Sequence, residues 1–177
     1  MGCSAYQGGE PDRTQRLMLP ERIAIQPFTA IRSFNEDDIP DGILLVLRPV
    51  DRFGDPVKAA GHFYFELWTY VNASGERKGE RLAFWERTID TEEQMRTFWT
   101  HAQMFEFQLA WAGQGADKLK PGGKYILTAT WRTPWDQTVR DEAVIDFHAP
   151  FETLTRSGAP SAADLPRSAP ATRPVTR

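Results

Sequence analysis

The chain has 177 residues, 41% of them hydrophobic, 12% aromatic and 25% charged, with a formal net charge of -3. That length suits one domain with a sizeable core; the aromatic content argues against wholesale disorder, and the charge balance gives no electrostatic case for nucleic acid. A single cysteine, Cys3, excludes an intrachain disulfide and any zinc site built from several thiolates, and apolar runs such as Ile43 to Leu47 are far too short to span a bilayer.

The chain opens Met1-Gly2-Cys3-Ser4. Gly2-Cys3-Ser4 resembles the end of a bacterial lipoprotein signal, in which a small residue precedes the cysteine that is lipidated. The resemblance covers these residues only. It implies that a basic and apolar signal peptide precedes them, that Cys3 carries the lipid, and that the protein sits in the bacterial cell envelope, on the periplasmic or surface face. The rival myristoylation pattern needs Ser or Thr where Tyr6 stands. Several acyl chains, at about 0.8 kcal/mol per buried methylene, would hold the protein firmly on a membrane. Residues 1–21 then read as a tether. They contain Gly8, Gly9 and Pro11 and lack apolar periodicity, and as a coil they reach roughly 25 Å.

Residues 22–151 read as the folded domain. Arg22 to Arg32 is the first strand, with Ile23, Ile25, Phe28 and Ile31. Pro27 and the altered spacing before Phe28 predict a bulge on an edge strand. An acidic loop over 35–42 follows, then a continuous apolar run, Ile43 to Val50, expected as a buried strand. Asp51 to Pro56 is a turn by composition. Gly61 to Val71 alternates cleanly. Phe63, Phe65, Leu67 and Val71 fall on the expected core face, and Tyr64, Glu66, Trp68 and Tyr70 on the other. Rings on both faces place this strand centrally in a sheet.

After a polar loop over 72–80, Leu82 to Ile89 reads as a fourth strand. Thr91 and Gln94 have capping-box spacing, which predicts one short helix over 92–99. Phe105 to Trp111, Tyr125 to Trp131 and Ala143 to Phe147 mark the fifth to seventh strands, separated by a Gly-rich loop over 112–123 and a turn over 133–138. Residues 152–177 hold Pro160, Pro166, Pro170 and Pro174 among Ala, Ser, Thr and Arg. Such a segment buries too little apolar surface to offset its ordering entropy and is expected to be disordered.

Short connections and a single helix predict an all-β fold, a seven- to eight-stranded antiparallel β-sandwich. At the level of strand count it resembles immunoglobulin-like, transthyretin-like and C2-like sandwiches. Loops 35–42, 72–80 and 112–123 should share one end, and 51–60, 90–102 and 133–139 the other.

No stretch carries an enzyme motif. The Gly-x-Ser-x-Gly elbow is absent. Gly122-Gly123-Lys124 lacks the earlier glycine and the following hydroxyl of a phosphate loop. His62, His101 and His148 have no second histidine at metal-ligand spacing. The acidic loop fails as an EF-hand, because Ile39 and Arg48 stand where ligands are needed. A C2-like calcium site from Asp37, Asp38 and Asp41, with Glu76 or Asp117, stays open, against the plainer reading of solvated turn acids. The other end gathers Asp51, Asp55, Asp90 and Asp136. Most of the six tryptophans should be core. Trp68 with Tyr64 and Tyr70, and Trp135 in its turn, are the rings expected to face outward, onto a partner protein or a glycan, unless a loop or the helix covers them. The expected function is a non-enzymatic, lipid-anchored envelope module for binding or assembly, with no cofactor. The alternatives are a carbohydrate-binding module and an enzyme whose site, around Glu66 or His62, forms only in the fold.

Overall fold

The structure, a computed structural model, describes residues 12–35, 39–73, 75–111, 113 and 116–147. Cys3, Asp37, Asp38, His148 and the C-terminal tail lie outside the described residues. The strands are β1 (Arg22–Ile25), β2 (Ala30–Arg32), β3 (Gly42–Val50), β4 (Gly61–Tyr70), β5 (Lys78–Ile89), β6 (Phe105–Ala110), β7 (Lys124–Arg132) and β8 (Thr138–Asp146), with one α-helix, α1 (Glu92–Phe98).

Two antiparallel sheets face each other. In the first, β3 is central, β6 pairs one edge, and β1 and β2 follow one another along the other edge. In the second the order is β5-β4-β7-β8. Eight segments therefore occupy seven strand positions. The predicted bulge lies between β1 and β2, where residues 26–29 oppose only Leu45 and Val46. Thr29 closes it: Val46 N–H donates to Thr29 Oγ1 at 3.0 Å, and that hydroxyl donates to Val46 O at 3.3 Å. Both residues are buried. Thr29→Val keeps the shape but strands the Val46 N–H, so it should cost about 1–3 kcal/mol. Thr29→Ser should recover most of the loss in thermal unfolding.

The core lies between the sheets. Phe63, Phe65, Leu67, Phe105, Phe107, Leu109, Leu127 and Trp131 have no exposed surface. Three buried tryptophans also pin the loops, because a buried indole N–H needs an acceptor. Trp111 Nε1 donates to Pro40 O, Trp131 Nε1 to Ala60 O, and Trp85 Nε1 to Ala110 O. The last bond covers the free edge of β6, aided by Arg87 Nη2 on Gln108 O at 3.4 Å. On the opposite side Asp141 of β8 accepts from Ile25 N–H at 2.7 Å. Side chains thus occupy edge groups that would otherwise template another strand.

The loops sort as expected. Trp111 N–H donates to Asp41 O, and Lys118 pairs with Glu80, at the first end. The Trp131–Ala60 bond marks the second. Helix α1 carries the predicted capping box, with Thr91 Oγ1 accepting from Gln94 N and the Gln94 side chain accepting from Thr91 N. Its Met95 and Phe98, with Trp99, pack on the core.

A short 3-10 turn, Gln15–Leu17, precedes β1. Three expectations need correction. β5 begins at Lys78 and β8 at Thr138, so both hairpins run further than their apolar residues do. Val71 leaves the core face and is 43% exposed, because register shifts between Leu67 and Tyr70 interrupt the alternation.

Candidate binding face

The outer face of the four-stranded sheet gathers the chemistry. Up to Trp68, alternation along β4 turns His62, Tyr64, Glu66 and Trp68 away from the core. The register sets Phe84 of β5 beside Glu66, Arg81 of β5 and Ile126 of β7 beside Trp68, and Val144 of β8 beyond Ile126. Arg81 and Phe84 are three residues apart, and strict alternation would put them on opposite faces. A register shift in β5 leaves Leu82 and Ala83 both buried and brings Arg81 and Phe84 to the same side.

Arg81 ties this face together. Its Nη1 lies 2.9 Å from Glu66 Oε1, and its guanidinium carbon is 5.9 Å from the Trp68 ring and 5.8 Å from the Phe84 ring. Tyr64 stacks on Phe84 with centroids 6.2 Å apart. Thr128 Oγ1 donates to Glu66 Oε2 at 3.4 Å. Lys78 of β5 reaches across β4 and β7 to Glu142 of β8, at 2.6 Å. Phe84 stays 39% exposed and Val144 50% exposed, so the belt is open to solvent. Of the two covers weighed against outward rings, a loop or the helix, α1 is not one, since its Met95 and Phe98 pack on the core. Trp68 Nε1 is buried with no hydrogen-bond partner.

The four predicted outward rings do not form one surface. Tyr64 and Trp68 belong to the belt. Tyr70, beyond the register shift, lines a cleft of about 610 Å³ at the first end with Glu80, Lys118, Lys120 and Tyr125. The Glu80 carboxylate raises the Lys118 ammonium above its ordinary pKa, mainly through their hydrogen bond. Trp135 sits half-buried in the β7–β8 turn, with Nε1 3.4 Å from Gln137 Oε1. That turn follows Arg132, the partner of His62, roughly 20 Å along the sheet from Trp68. Arg81, Phe84, Val144, Lys78 and Glu142 were not singled out from the sequence. Only cross-strand register assembles them.

The acids divide similarly. Asp41 Oδ2 accepts from Phe34 N–H at 2.8 Å and lies 3.5 Å from Ser33 Oγ, so its carboxylate shapes the loop. At the other end Asp51 accepts from the Phe53 and Asp55 N–H groups, and Asp136 pairs with Arg132. Among the described residues no three His, Cys, Asp or Glu side chains gather as a metal site. His62 Nδ1 lies 3.1 Å from Thr88 Oγ1. It stands four strand residues, about 13 Å, from Glu66, too far for a shared proton. The face groups Trp, Tyr and Arg, residue types enriched in binding hot spots. No protein-family model matches the chain, and comparisons with curated proteins and with solved structures return no match.

Proposed function

We propose that this is a non-enzymatic binding module of the bacterial cell envelope, carried on a lipid at Cys3, which engages a protein partner through the outer face of the four-stranded sheet. The supporting observation is the belt of Tyr64, Phe84, Arg81, Trp68 and Val144. Its two aliphatic and aromatic ends stay exposed, while a charge pair lies at its centre. A glycan needs free ring faces on which to stack. Here Arg81 lies over Trp68, and Tyr64 lies against Phe84. The geometry therefore favours a protein surface, with Val144 and Phe84 as apolar contacts and Arg81 and Glu66 as charged ones.

A photo-crosslinking side chain at Val144, in cells producing the full chain, tests this. One discrete protein adduct is expected, reduced about tenfold or more by Arg81→Glu or Trp68→Ala, with the unfolding midpoint of Arg81→Glu close to wild type. An adduct that ignores both substitutions, or none, overturns the reading. Retardation in glycan-loaded gels would replace it with the carbohydrate reading. The address is tested separately. Expressed with its own upstream sequence, the protein should partition into detergent, and Cys3→Ser should move it to the aqueous phase. Mass spectrometry showing an unmodified Met1 or Gly2 terminus on natively expressed protein would overturn the anchor.

A further inference from the structure

We infer that the cleft between helix α1 and the turn before β6 binds a small organic anion, a carboxylate carried on a ring or other apolar body. The inference uses none of the residues of the outer sheet face and is independent of the envelope reading.

The cleft has a volume of about 460 Å³, and Lys58, Met95, Arg96, Trp99, His101 and Gln103 are among its lining residues. That size is ordinary for a small-molecule site. Its walls are fixed. Trp99 caps α1, donating its backbone N–H to Met95 O at 2.9 Å, and its ring packs edge-on against Phe105 with centroids 5.0 Å apart. Thr100 closes the following turn: its N–H and its hydroxyl both donate to Met104 O, at 2.8 Å and 3.0 Å. Lys58 lies between Val57, whose N–H donates to Pro49 O, and the buried Ala59. Walls held in this way have little freedom left to lose on binding.

Two features of the lining point to a ligand. Gln103 has φ of +59°, and its backbone N–H donates to Thr100 O at 3.1 Å. Glycine takes that left-handed conformation freely, and a residue with a Cβ takes it at a cost. The Gln103 side chain is exposed and makes no hydrogen bond among the described residues, so packing does not explain the strain. Strained residues of this kind cluster at ligand sites. The second feature is Trp99. Of the six tryptophans, four donate their indole N–H to a protein acceptor, and Trp68 buries its own. Among the described residues Trp99 does neither.

The chemistry on offer is that of donors. Trp99 Nε1 can only donate. Lys58 has no ion-pair partner among the described residues. Arg96 adds a second cation, held from one side by Glu92 at 2.5 Å. Among the described residues no carboxylate lines the cleft; Asp90, Glu93 and Asp136 share this end of the sandwich without lining it. Met95 and the Trp99 ring supply apolar wall. Cations and N–H donors beside such a wall suit a carboxylate on a ring.

The test titrates the full chain, isotope-labelled at its indole nitrogens, with phenylacetate. Trp99→Phe assigns the Trp99 resonance. A saturable shift of that resonance is expected at millimolar probe, with the Trp135 resonance unmoved. Acetate, which lacks the ring, and benzyl alcohol, which lacks the charge, should bind about tenfold or more weakly. Lys58→Glu should weaken phenylacetate by a similar factor and leave benzyl alcohol as it was. Gln103→Gly should also weaken phenylacetate, while its unfolding midpoint stays at or above wild type because the left-handed strain is gone. Several outcomes overturn the inference: no shift at Trp99, a response that ignores both substitutions, or a Gln103→Gly variant that binds normally or unfolds well below wild type. None of them bears on the crosslink at Val144, which lies on the outer sheet face.

Discussion

Replacing Phe65 with alanine is expected to lower the unfolding free energy by roughly 3–5 kcal/mol. The ring has no exposed surface and sits on the central strand of the four-stranded sheet, between Trp85 and Ala129 in register. It packs across the sandwich on Phe107, with centroids 5.0 Å apart, and along its own strand near Phe63 at 6.4 Å. Truncation removes apolar contacts from both sheets and leaves a cavity whose walls, two hydrogen-bonded sheets, cannot easily close. Against a typical stability of about 5–15 kcal/mol this is a large share. Glu66→Ala, one residue on, should cost under about 1 kcal/mol, because its pair with Arg81 is solvent-exposed on the arginine side. Urea unfolding of both variants measures the contrast. Equal, small losses would contradict the division of β4 into a core face and an outer face.

Gly61→Ala is expected to be a strongly damaging single-methyl change. Gly61 begins β4 with φ of +134°, a conformation that L residues rarely adopt. A Cβ there would overlap the Arg132 carbonyl of β7 and come within 2.9 Å of Trp131 Nε1. That indole nitrogen is the donor that ties β7 to Ala60 O. Backbone strain alone costs about 1–3 kcal/mol, and relieving the overlap requires β4 and β7 to separate where their pairing begins. Gly54→Ala is the control. Gly54 also has positive φ, but nothing lies within 4 Å of the added carbon, so only strain remains. Thermal unfolding should place Gly61→Ala well below Gly54→Ala, and Gly54→Ala below wild type. Similar midpoints would mean that close packing against β7 contributes nothing at this position.

The strands most legible in the sequence were those whose two faces differ most in solvation. Phe63, Phe65 and Leu67, and Phe105, Phe107 and Leu109, alternate with polar residues and are buried as that pattern requires. The capping box at Thr91 was equally legible, because it is local chemistry over four residues. The early parts of β5 and β8 were missed for the converse reason. Residues such as Lys78, Glu80, Arg81, Arg140 and Glu142 carry no apolar period. They are strand because each hairpin, once closed, continues to pair beyond the core.

The candidate binding face shows the same division. Tyr64 and Trp68 were identifiable as outward rings of one strand. Their neighbours were not: Arg81 and Phe84 share a face only through a register shift, and Val144 arrives from a strand that pairs two positions away. Tyr70 and Trp135 looked equivalent to Trp68 by residue type, and the fold sends them to opposite ends. The sequence by itself determined the all-β class, the strand count, the helix and its cap, and which side of β4 is core, because burial and capping act between near neighbours along one chain. Tertiary structure alone decided which strands adjoin, where alternation slips, and which rings, cations and carboxylates meet, because those contacts depend on register between segments that local periodicity leaves free.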